Sequence, residues 1–215
     1  MGERLSLSGT ALERTGVVAV LRAPSFDAYL PVVETLISSG VTCIELTLTT
    51  PQTIEQFASL RTQLPETCHL GVGTVTTVDQ AARAIDAGAD FLVTPVTNTS
   101  LVDIAVARGV PIFPGSMSPS EVFANWSANA TAVKVFPAAT VGPDFLRQLH
   151  GPFPDIALIP SGGVGLTDIP DWVAAGAVAV SLGGPLVGGA FGGESLSQLK
   201  LRASRALELV AEARS

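Results

Sequence analysis

Residues 69–95 read HLGVGTVTTVDQAARAIDAGADFLVTP. A short apolar run, His69–Thr74, gives way to Thr77-x-x-Gln80, the spacing of a capping box in which two side chains satisfy the free N–H groups at a helix start. Val78, Ala81, Ala82 and Ile85 follow at the i, i+3, i+4, i+7 spacing of one helix face. Gly88 then stands where a helix end takes the left-handed conformation, and a second β-rich run, Asp90–Pro95, comes directly after it. The stretch is therefore one strand–helix–strand unit with its own start and stop signals.

The same unit recurs along the chain. Further β-rich runs are Val17–Arg22, Thr42–Leu48, Val110–Pro114, Ala132–Pro137, Ile156–Ser161 and Ala177–Leu182, and Gly40, Gly109 and Gly176 close helical segments as Gly88 does. Ser118-Pro119-Ser120-Glu121 supplies an N-cap, a proline at N1 and a glutamate at N3. Pro51 and Pro143 also stand where N1 is expected. Pro31 falls inside the apolar pattern of Phe26–Ile37 and predicts a kinked helix or a late start. Eight strands, each followed by a helix, predict an α/β fold, a closed (β/α)8 TIM barrel with an extra N-terminal helix around Glu3–Arg14. A single barrel domain over residues 1–215 accounts for the length, with tight loops.

Composition narrows the class. Of 215 residues 47% are hydrophobic and 14% charged, against about 25% charged in an average globular protein, which excludes intrinsic disorder. The net charge of −7 repels phosphodiester backbones, so nucleic acid is not an expected partner. Two cysteines, Cys43 and Cys68, and two histidines, His69 and His150, show no metal or redox spacing. These four, with Trp126 and Trp172, read as packing or surface residues. The charged N-terminus is not a signal peptide. The uncharged run Val173–Gly193 is long enough for a membrane span, but its glycines and Pro185 break it. These features predict a cytoplasmic protein with no membrane partner.

In a parallel barrel the chemistry lies at the C-terminal ends of the strands. Lys134 sits in Thr131-Ala-Val-Lys-Val-Phe-Pro137, and alternation puts it on one face with Ala132 and Phe136. A lysine turned into a barrel interior is desolvated, which favours the neutral amine that a Schiff-base enzyme uses as nucleophile. A snorkelling or ion-paired lysine is the alternative. Glu45, in Cys43-Ile-Glu-Leu-Thr-Leu48, shares its face with Cys43 and Thr47. It reads either as a proton shuttle or as a structural partner of Arg22 or Lys134. Arg22 ends the first strand and suits an anion or a surface salt bridge. Glycines close strand three (Gly71-Val-Gly-Thr74), strand seven (Ser161-Gly-Gly-Val164) and strand eight (Ser181-Leu-Gly-Gly184). Pairs after strands seven and eight match a phosphate site of exposed N–H groups, although turns also need glycine.

These residues carry a resemblance. Val18-Ala-Val-Leu-Arg-Ala23, Ile44-Glu-Leu-Thr-Leu48, Gly71-Val-Gly-Thr-Val75, Phe113-Pro-Gly115 with Ser118-Pro-Ser-Glu121, Lys134-Val-Phe-Pro137, Gly151-Pro-Phe-Pro154 and Pro160-Ser-Gly-Gly-Val164 together resemble the class I 2-keto-3-deoxy-6-phosphogluconate aldolases. That family also includes 4-hydroxy-2-oxoglutarate and 2-keto-3-deoxy-6-phosphogalactonate aldolases. The likeness runs from about Val17 to Val187. It implies Lys134 as the Schiff-base lysine and Glu45 as the general acid–base. Thr74 and Arg22 would hold the keto-acid carboxylate; Gly162, Gly163 and the Gly183–Gly184 loop would hold the phosphate. Gly73, Pro95 and Phe136 are the remaining substrate contacts that the resemblance implies. It further implies pyruvate and a phosphorylated keto acid as ligands, no cofactor or metal, and a homotrimer.

Two positions depart from the family pattern. Thr49 stands where many relatives have Arg, and Gly184-Pro185 where many offer a Ser to the phosphate. Both bear on the substrate more than on the reaction, and leave the gluconate, the galactonate and 4-hydroxy-2-oxoglutarate open. A phosphosugar epimerase or isomerase, or a non-catalytic phosphate-metabolite binder, would use the same barrel without an imine.

Overall fold

The computed structural model describes residues 3–215. Its parallel strands are β1 (Val17–Leu21), β2 (Cys43–Thr47), β3 (His69–Gly73), β4 (Leu92–Val93), β5 (Ile112–Phe113 continuing as Gly115–Ser116), β6 (Val133–Val135), β7 (Leu158–Pro160) and β8 (Val180–Leu182). Pro114, which has no N–H to give the ladder, splits β5 into its two segments. The ladder runs β5-β4-β3-β2-β1-β8 on one side of that break and β5-β6-β7 on the other. A bridge between Ser161 and Ser181, with the Val178 N–H donating to the Leu158 carbonyl, joins β7 to β8 and closes the ring. The (β/α)8 barrel read from the sequence is the observed architecture.

Around it lie α1 (Ala11–Thr15), α2 (Tyr29–Ser38), α3 (Thr53–Arg61), α4 (Val78–Asp86), α5 (Thr99–Ala107), α6 (Pro119–Ser127), α7 (Ala138–Val141), α8 (Asp144–His150), α9 (Ile169–Ala174), α10 (Gly184–Val187) and α11 (Leu196–Arg214). Both expected capping boxes form, Thr77 with Gln80 and Ser118 with Glu121. Gly40, Gly88, Gly109 and Gly176 all take positive φ just beyond a helix. No helix among the described residues is long and apolar enough to cross a membrane.

Several local expectations need correcting. The N-terminal helix is only Ala11–Thr15, started by the Thr10 hydroxyl. The Ser- and Gly-rich segment before it favours side-chain-to-backbone turns over helix. The late start expected at Pro31 is observed: the helix begins at Tyr29 after a 3-10 turn over Phe26–Ala28, which puts Pro31 in its first turn, where a missing N–H costs nothing. Pro51 precedes α3, whose N-cap is Gln52 at φ 62°, and Pro143 is the N-cap of α8 rather than N1. On α4 the buried residues are Ala81 and Ala84, while Val78 is 45% exposed. Two alanines three apart let the helix lie close on the sheet, which leaves Val78 over the rim.

The alternation of each strand sorts the core into two bodies. Outward residues such as Ile44, Leu46, Leu70, Val72, Val133 and Val135 pack under the helices. Inward residues Val18, Cys43, Phe91, Val93, Phe113, Ala132, Ile159 and Ala179 fill the lumen, joined from below by Leu7, Ala11 and Leu12 of the N-terminal segment. That segment is anchored by Arg4, which lies 3.4 Å above the Trp126 ring and donates to the Ala130 carbonyl. The lumen is thus stoppered at its N-terminal end.

Glycine at position 71 is what lets aromatic rings into the barrel. A Cβ there would lie 2.4 Å from the Phe91 ring, which itself packs on Phe113 at 5.4 Å between centroids. Overpacking of this kind costs about 1–3 kcal/mol. Gly71→Ala is therefore expected to lower the urea midpoint of unfolding by a corresponding amount; an unchanged midpoint would show that Phe91 can move aside.

Candidate active site

The C-terminal end of the lumen is where the inward residues turn polar. Glu45 stands on β2 opposite Gly71 of β3 and Val20 of β1. Lys134 stands on β6 between Gly115 of β5 and Ile159 of β7. The Lys134 N–H donates to the Pro114 carbonyl and the Phe136 N–H to the Ser116 carbonyl, so the broken strand β5 fixes the residues on both sides of Val135. Glu45 is 1% exposed and Lys134 7% exposed. Both border a cavity of about 220 Å³.

Lys134 forms no ion pair among the described residues; its Nζ lies 4.8 Å from the centre of the Phe136 ring. The ring face is electron-rich and supports a cation without the hydrogen bond that would hold an amine in place. Glu45 is confined instead by backbone. A Cβ on Gly73 would lie 1.8 Å from Glu45 Oε1, so only glycine leaves room for the carboxylate. Glu45 Oε2 has no hydrogen-bond partner among the described residues. Burial pushes the Glu45 carboxyl above its ordinary range, and the positive fields of Lys134 and Arg22 offset that only in part.

The cavity wall also holds Arg22, Thr74, Pro95, Phe136, Gly162, Gly163, Gly183 and Gly184. Gly73 does not line it; its place is beneath Glu45. Arg22 is exposed and pairs with no carboxylate among the described residues. Thr74 takes φ 62°, a left-handed conformation that costs a β-branched residue of order 1–3 kcal/mol and is seen mainly where function requires it. Gly162 and Gly163 have φ 86° and 77°, and a Cβ on them would meet the Phe136 ring at 2.8 Å and the Ala139 Cβ at 2.5 Å. The Ala138 and Ala139 N–H groups donate to the Ser161 and Gly162 carbonyls, which ties down the chain entering this pair. Pro185 fits the first turn of α10, and Thr49 holds the Thr47 hydroxyl at 2.9 Å.

Five further wall residues went unread as site residues in the sequence: Val20, Thr47, Val164, Ser161 and Ser181. The two serines had a usable signal. They continue the inward parity of Ile159 and Ala179 at the ends of β7 and β8, where the sequence reading singled out only the glycines that follow.

A model of the family described as KDPG and KHG aldolase matches residues 9–195. The chain belongs to that family. It is an aldolase, a carbon–carbon lyase. A 2-dehydro-3-deoxy-phosphogluconate aldolase of Treponema pallidum (strain Nichols) is 34% identical over 76% of this chain and 78% of its own length. A solved structure described as native KDPGal superimposes with a TM-score of 0.86 at 27% identity, covering 92% of this chain and 95% of that one. The KDPG aldolase of Legionella pneumophila, solved with pyruvate captured at low pH as a covalent carbinolamine intermediate, is 26% identical. Its TM-score is 0.83, over 90% of this chain and 95% of that one.

The raised Glu45 carboxyl has a consequence for stability in this aldolase. The folded chain binds that proton more tightly than the unfolded chain does. Stability therefore falls as pH climbs from the ordinary carboxylate pKa to the raised folded value, and levels off above it. Glu45→Gln, which cannot ionise, is expected to lose that slope and to melt above the parent at neutral pH. Thermal midpoints across a pH series check this, and parallel curves for parent and variant would contradict it.

Proposed function

We propose that this aldolase works through a Schiff base on Lys134 and cleaves a 2-keto-3-deoxy-6-phospho sugar acid, 2-keto-3-deoxy-6-phosphogluconate first among them, to pyruvate and glyceraldehyde 3-phosphate. The observation that carries the reading is a buried lysine without an ion pair, facing a cavity that it shares with a buried carboxylate. Lys134 attacks the C2 ketone to give a carbinolamine, which loses water to form a protonated imine. A base then takes the C4 hydroxyl proton, the C3–C4 bond breaks, and its electron pair moves into the enamine as the aldehyde departs. Glu45, directly or through water, takes that proton and returns one to C3 of the enamine. Water adds to the imine, and pyruvate leaves with the amine restored.

Arg22 and Thr74 are assigned to the carboxylate, with Pro95 and Phe136 forming the walls beside it. The N–H groups of Gly162, Gly163, Gly183 and Gly184 are assigned to the phosphate. None of the four has an acceptor among the described residues, and such groups suit a dianion in a chain of net charge −7. The galactonate isomer is the second reading, favoured by the close superposition on the KDPGal structure. A homotrimer is the proposed assembly. Phe123 is 50% exposed against Phe153, with Met117 also exposed, and such a patch suits contact with another copy.

Incubation with pyruvate and borohydride is expected to leave a covalent adduct on Lys134, read by peptide mass. Lys134→Met should abolish both the adduct and cleavage. Glu45→Gln should lower kcat by about 10²–10⁴-fold. An unmodified Lys134, or turnover by the Lys134→Met variant, would overturn the imine. Cleavage rates for the gluconate, the galactonate and 4-hydroxy-2-oxoglutarate side by side assign the substrate.

A further inference from the structure

Strand β1 ends at Leu21, the last of its residues paired with β2, opposite Leu46. Arg22 follows, beyond the ladder, with an exposed side chain and no ion pair among the described residues. Its backbone is nevertheless held on both sides. The Thr50 hydroxyl accepts from the Ala23 N–H at 3.0 Å and donates to the Ala23 carbonyl at 2.9 Å. The Tyr29 hydroxyl reaches Thr50 Oγ1 at 2.7 Å and the Leu21 carbonyl at 3.3 Å. Thr53 ties the same turn to β2, donating to the Thr50 carbonyl at 2.8 Å and the Thr47 carbonyl at 3.2 Å. Tyr29, Thr50 and Thr53 are all buried.

Every hydrogen and lone pair at Thr50 Oγ1 in this cluster has a use: one proton given to Ala23, two accepted, from Ala23 and Tyr29. Fully satisfied buried networks fix geometry, and half-satisfied ones do not. Here the fixed object is Arg22, which stands between Leu21 at the end of the β1–β2 ladder and Ala23 held by Thr50. A long side chain such as arginine loses least entropy on binding when its backbone already points the right way.

We propose that Tyr29 and Thr50 are positioning residues that hold the Arg22 guanidinium over the cavity to receive a substrate carboxylate. This rests on the assignment of Arg22 to the carboxylate, so the test separates the two. The probe is pyruvate. Its half-saturating concentration for borohydride trapping on Lys134, and the maximal trapping rate, are measured for Thr50→Val, Thr50→Ser and Tyr29→Phe, each in the native and the Arg22→Met background.

Thr50→Val is expected to raise the half-saturating concentration by about tenfold, with the maximal rate within about twofold of the parent. Thr50→Ser, which keeps the hydroxyl, should behave as the parent. With Arg22 replaced by Met, Thr50→Val should add no further rise. Equal rises in both backgrounds, or a lowered melting temperature with no change in pyruvate saturation, would overturn the positioning role while leaving Arg22 its function. If Arg22→Met alone leaves saturation unchanged, the carboxylate assignment fails and the positioning role fails with it. Should Thr50→Val not fold, Tyr29→Phe, which removes one hydroxyl, makes the same comparison.

Discussion

A closed barrel of eight strands can be filled only by every second side chain of each strand, and the lumen has a fixed width. That constraint orders the rest of this molecule. Bulky residues on some strands require small ones opposite: Phe91 and Phe113 fit because β3 presents glycine at 71. The same rule operates one layer higher, where glycine at 73 makes the space that Glu45 occupies. Steric fit in the lumen and placement of the buried carboxylate are therefore one problem, solved by two glycines two residues apart.

The chemistry of the upper layer follows from the burial of its two charged side chains. In a chain with only two lysines, one is enclosed with a carboxylate that the protein interior would prefer neutral. Neither is locked by a tight ion pair; their mutual influence is a field across the cavity rather than a contact. Groups held near each other but not bonded stay free to exchange protons with something placed between them. A tightly paired Lys–Glu would be more comfortable for the fold and of less use to a reaction.

The fold was legible in the sequence because its signals are local and repeated. Capping boxes at Thr77 and Ser118, and glycines that end helices, act within a few residues and are read directly. The N-terminal helix was overextended for the same reason: its docking depends on Arg4 meeting Trp126, more than a hundred positions away. Lys134 and Glu45 stood out as charges in apolar strands. The inward serines at 161 and 181 did not, since a small uncharged residue at a strand end carries no mark of function until strand parity is counted from the closed ring. Gly73 shows the opposite limit. Its importance comes from a neighbour on another strand, and no property of its own segment announces that neighbour.

The stopper at the bottom of the barrel also sets an order of traffic. Leu7, Ala11 and Leu12 pack under the inward residues at the N-terminal end of the lumen, while the cavity lies at the C-terminal end of the strands. Whatever binds deepest must arrive first and leave last, and water reaches the floor only after the outer occupant has gone. A cul-de-sac of this shape keeps a reactive group at its floor shielded from hydrolysis while the mouth is filled.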